Sequence, residues 1–145
     1  MSLPSPREDA LNAAQASLQA MYPGRLVKRG LQDPATLGDA VLQQGAIALV
    51  AGNTDGWTEY AGGEARNGTL HFSAVGWVKV ADGPIGDQTL AVEQAEAQLE
   101  AELLAWCATV KATPLDAVYP RDVQYSRGLD APYGWLVMSL EALYV

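Results

Sequence analysis

Glu93, Glu96, Glu100 and Glu102 are the densest group of carboxylates in the chain. Clustered acids are what a metal site or an acid–base pair would use. Helical spacing places Glu93, Glu96 and Glu100 on one side of a helix. No histidine stands at the i+3 or i+4 positions that a di-metal helix uses, so the pattern predicts a solvated helix face. Cys107 is the one cysteine and His71 the one histidine, and such a pair does not make a conventional structural zinc site. Cys107 sits beside Trp106 in an apolar helical pattern, with nothing nearby in sequence to lower its pKa. It reads as a buried, inert thiol. His71 alternates with Leu70 and Phe72, as a strand histidine packed or facing the surface, and no catalytic partner is indicated. Ser126 and Ser139 lack a nucleophile-elbow context. Gly62-Gly63 and Gly83-Pro84-Ile85-Gly86 form neither a phosphate loop followed by lysine nor a dinucleotide fingerprint. The expectation is a protein that is not an enzyme, with no catalytic residue, no cofactor and no metal.

Residues suited to contact remain. Trp57, Tyr60 and Tyr133 lie close to expected loops, and aromatics are enriched at protein interfaces. Arg66 is expected to be exposed between Gly62-Gly63 and Asn67-Gly68. These four are the interface candidates; the competing reading is that the aromatics cap sheet edges.

The chain has 145 residues, 49% hydrophobic and 18% charged, which describes one globular domain over 1–145. A chain of this size buries roughly 70% of its extended surface, enough for a core without disulfide or metal staples. No window reaches the roughly 18 uninterrupted apolar residues of a membrane span, and Met1–Asp9 lacks the apolar run of a signal peptide. The expectation is therefore no membrane partner and synthesis in the cytosol. A formal charge of −8 makes nucleic acid a poor partner. The nearest basic cluster, Arg25-Lys28-Arg29, reads as solvated strand charges, with Arg25 and Arg29 pointing the same way.

The elements that position these residues follow from punctuation and periodicity. Ser5-Pro6-Arg7-Glu8 is a capping box with proline at the first helical position. Leu11, Ala14, Leu18 and Met21 form the helix's apolar face, and Tyr22-Pro23-Gly24 stops it. Residues 25–31 suggest a short strand near an edge. Asp33-Pro34 opens a short helix that ends near Gly45. Ala46–Ala51 reads as a central strand, Gly52–Gly56 as a turn, Trp57–Tyr60 as extended, and Asn67-Gly68 as a tight turn. Thr69–Val80 is the longest strand candidate. Leu70, Phe72, Ala74, Gly76, Val78 and Val80 face the core, and on the other side Trp77 needs cover. Asp87 or Thr89 caps a helix from about Leu90 to Val110, whose apolar face holds Val92, Ala95, Leu99, Leu103, Trp106 and Val110. A turn around Tyr119-Pro120 and a strand through Val123–Tyr125 follow. The last strand sets Leu136, Met138, Leu140, Ala142 and Tyr144 on one face; an ending inside an apolar strand suggests that the fold needs it. Together these predict an α+β fold, a largely antiparallel sheet with the long and the N-terminal helices packed on one face.

The order of elements and several fragments resemble the tail-terminator and minor tail proteins of long-tailed bacteriophages, including the Mu-like prophage type. The fragments are the capped N-terminal helix, Gly45–Val50, Leu70–Val78, the helix Ala95–Trp106 and the closing Tyr133–Leu140. The resemblance spans nearly the whole chain, in pattern and small fragments. It implies a structural protomer that forms a ring, expected to be hexameric, on the end of the tail tube, stopping tube growth and helping to join the head. Its partners would be itself, the tail-tube protein and a head-completion protein. It would occupy the host cytoplasm during assembly and then the virion tail. A head–tail connector or completion protein is the alternative, and a small enzyme or regulatory domain a more distant one.

Overall fold

The computed structural model of the chain describes residues 5–59 and 65–144, with side chains described over 5–54 and 68–144. Ser5 caps α1 (Pro6–Met21) as its sequence predicts, its Oγ accepting from the Glu8 amide at 3.3 Å. Ala10, Leu11, Ala14 and Leu18 are buried, while Met21, in the final turn, is exposed. Five strands form one sheet: β1 (Leu26–Arg29), β2 (Ala46–Glu59), β3 (Ala65–Lys79), β4 (Leu115–Tyr125) and β5 (Tyr133–Tyr144), in the order β1-β2-β3-β5-β4. Every pairing is antiparallel except β1 with β2. That parallel pair needs a crossover. A 3₁₀ turn at Pro34–Thr36 and α2 (Asp39–Gln44) supply it, and Gly45 ends α2 with a positive φ of 89°.

The core lies between the sheet and two helices. α1 and α3 (Ile85–Thr109) cover one face, where Leu18, Leu99, Leu103 and Trp106 pack with Phe72, Ala74, Leu136, Met138 and Leu140. Trp106 Nε1 donates to Ser17 Oγ at 3.1 Å, tying the two helices together. The alternation predicted for β5 holds, with Leu136, Met138, Leu140, Ala142 and Tyr144 all buried. On the opposite face, among the described residues, α2 is the helix that covers the sheet. Leu42 meets Ala46, Ala48 and Trp77 there, and this is the cover that Trp77 requires. The fold is α+β with a mixed, mostly antiparallel sheet.

Several local expectations are overridden by strand pairing. Gly52–Gly56 does not turn: β2 runs through it, with register shifts between Ala51 and Thr54 and again between Asp55 and Thr58. Glycine at 52 serves close approach, since a Cβ there would lie 2.6 Å from the His71 carbonyl oxygen. Asn67-Gly68 does not turn either, because Asn67 pairs with Thr58 of β2 and Gly68 with Tyr144 of β5. Gly62-Gly63 lies outside the described residues. The turn expected at Tyr119-Pro120 is an edge-strand irregularity in β4, with a register shift between Pro120 and Asp122; an edge tolerates proline's missing donor. α3 starts at Ile85, not Leu90, so neither Asp87 nor Thr89 caps it. Thr89 instead lies within the helix, its Oγ1 donating to the Ile85 carbonyl at 2.9 Å.

Candidate functional site

Where β3 ends and β5 begins, Lys79 and Tyr133 are register partners. The Lys79 ammonium lies 5.2 Å from the Tyr133 ring centroid and 2.9 Å from an Asp39 carboxylate oxygen at the start of α2. That hydrogen bond to Asp39 raises the Lys79 pKa above its usual value, against the opposing effect of burial. Behind this pair, between α2 and the head of β5, is a cavity of about 370 Å³ lined in part by Trp77, Tyr133, Trp135, Asp39 and Asp130. Its volume is in the range of small-ligand or side-chain pockets. Trp135 Nε1 donates to Asp130 Oδ2 at 3.4 Å.

Glu96 fixes the loop that carries Asp130 and Tyr133. It is 2% exposed, which corrects the expectation of a solvated face. Its Oε2 accepts from the Ser126 amide (3.1 Å), the Ser126 hydroxyl (2.5 Å) and the Trp135 amide (3.1 Å). A buried carboxylate is tolerated when donors are converged on it in this way. The strand approaches closely here: a Cβ on Gly134 would stand 2.5 Å from a Val92 methyl. One signal in the sequence pointed to this burial, because Glu96 falls in the heptad-like series Val92, Glu96, Leu99, Leu103, Trp106. On the residue preceding Ser126, the last of β4, a hydrogen bond from Tyr125 to Glu100, with burial adding to it, pushes the Tyr125 phenol up to about 12.

A polar strip crosses the helix-free part of the sheet. His71 Nδ1 lies 3.6 Å from Glu141 Oε1, and Arg121 donates to Glu141 Oε2 at 2.7 Å. Glu141 is thus a His71 neighbour that the sequence did not indicate. Arg25 and Arg29 are not a solvated pair. Arg25 bridges to Glu102 of α3, and Arg29 to Glu8 of α1 at 2.6 Å. Cys107 is buried, and burial pushes its thiol up to about 11, as expected of an inert cysteine. Among the described residues no group of three or more His, Cys, Asp or Glu is placed to hold a metal ion, and no helix is long and apolar enough to cross a membrane.

Of the four interface candidates, Tyr133 is placed at the cavity mouth and 45% exposed. Trp57 lies in β2 and Arg66 in β3, but their side chains fall outside the described residues, as does all of Tyr60. The residues around Tyr133 were missed because they come from three separate elements.

No family model matches the chain, and no curated protein matches it. Among solved structures it is similar to a chain of the virion of a native gene transfer agent particle, with a TM-score of 0.48 and 16% identity over 90% of this chain and 86% of that one. A likeness this distant assigns no role.

Proposed function

We infer that the protein is a structural component of a phage or prophage tail, a ring-forming terminator that caps the tail tube and contributes to head–tail joining. Its partners in this reading are other copies of itself, expected as a hexamer, with the tail-tube protein on one side and a head-completion protein on the other. It works without catalysis or cofactor. It passes from the host cytoplasm into the virion tail.

The observation that carries the reading, beside the resemblance of its element order to that family, is an open strand edge. β1 pairs β2 only from Ala46 to Leu49, so among the described residues the outer edge of β2 continues from Val50 without a partner strand. Ala51, Gly52 and Asn53 are exposed along it. Val50 to Asn53 carry no charge, and an unpaired edge of that kind is a template for another chain. A ring requires such a heterologous contact, closed by rotation.

Native mass spectrometry and negative-stain microscopy of the full chain, alone and with tail tubes, test this. A closed ring on tube ends is expected. The double variant A51K/N53K should keep the fold and lose the ring, since lysines along an edge block strand addition. A chain that stays monomeric even on tubes, or a ring indifferent to those lysines, would refute it.

A further inference from the structure

The cavity behind Tyr133 has the chemistry of a cation socket. Aromatic faces beside carboxylates attract ammonium and guanidinium groups, through the ring quadrupole and direct ion pairing. The site already exhibits this preference once, because Lys79 rests between the Tyr133 ring and Asp39. One carboxylate is left over. Asp130 accepts a long 3.4 Å bond from the Trp135 indole, and no described cation lies within ion-pair distance of it. The cavity of about 370 Å³ between Trp77, Trp135 and Asp130 has room for a long side chain whose stem would lie on the indoles.

We propose that this cavity receives an arginine or lysine side chain of a partner protein, its charged head on Asp130 and its methylenes against Trp77 and Trp135. The proposal rests on reading the chain as an assembly component, though not on its forming a ring. Charge selects a different protein over a second copy. The chain carries −8, so a second copy is repelled overall even though Lys28, Lys111 and Arg127 are exposed, while Arg25, Arg29, Lys79 and Arg121 are already held by Glu102, Glu8, Asp39 and Glu141. A basic, partly apolar segment of another protein is the complementary occupant.

The test uses the full chain labelled with nitrogen-15, following the indole N–H signals as acetylated arginine amide is added. Its citrulline counterpart, of nearly equal shape but uncharged, serves as control. The Trp135 and Trp77 signals should move with arginine and not with citrulline. Asp130→Asn should weaken the response about fivefold, the size of one exposed charge contact, and Asp130→Glu should keep the arginine preference. Equal shifts with citrulline, still signals at Trp135, or an undiminished response in Asp130→Asn would each overturn the proposal. Movement of the same signals with protein concentration alone would overturn the choice of partner by making a second copy the occupant. Ring formation is read by mass, so failure here and failure of the ring reading are distinguishable.

Discussion

One face of the sheet carries α1 and α3 along its length, and its side chains are almost entirely buried. Among the described residues the other carries α2 alone, over one end, and beyond it lie His71, Ser73, Ser139 and Glu141, all half-buried. The first face is closed by apolar packing and by an indole-to-hydroxyl bond between its two helices. The second mixes a small apolar cluster, an aromatic cavity and a partly exposed ion-pair strip. Apolar packing is thereby separated from polar surface: closely packed side chains line one side of β3 and β5, and half-buried polar ones line much of the other.

Three substitutions probe that separation, and all are read by thermal or denaturant unfolding. The largest effect is expected on the covered face. Trp106→Ala, at a position 1% exposed, should cost about 4 kcal/mol through lost burial and the cavity left behind. A loss under about 1 kcal/mol would mean that α3 does not close the core. Trp77→Ala, on the second face under α2, should cost about 2 kcal/mol, because its cluster is small and borders open space. If it matches Trp106→Ala, the two faces are equivalent and the contrast fails. Arg121→Ala should change stability by no more than about 0.5 kcal/mol, since its own side chain is 55% exposed in the pair with Glu141 and ion pairs open to solvent contribute little. A larger loss would make the polar strip structural.

Period-based features were legible in the sequence. The two-residue alternation of Leu136 to Tyr144 and the helical stripe through Leu99, Leu103 and Trp106 each name the buried side directly. Pairing was not legible. Nothing local says that β5 lies between β3 and β4, or that Gly68 faces Tyr144, and these neighbours turned two glycine-rich stretches from expected turns into strand. The ion pairs Arg25–Glu102 and Arg29–Glu8 link positions far apart in the chain, which a local reading of basic residues cannot see. The cavity likewise draws on α2, β3 and the start of β5, so only Tyr133 announced it. Glu96 is the intermediate case. Its place in the stripe was visible, but its acidic neighbours favoured a solvated reading.

The hydrogen bonds of Glu96 also bear on the loop that rims the cavity. Ser126 and Trp135 stand on either side of the loop at 127–134, and one carboxylate oxygen holds both. The loop's two ends are thus pinned to α3 within the chain itself. A visiting chain would not have to freeze that loop's motions on docking, which ordinarily subtracts from affinity. The helix that closes the core on one face therefore also keeps the Asp130–Tyr133 rim in shape on the other.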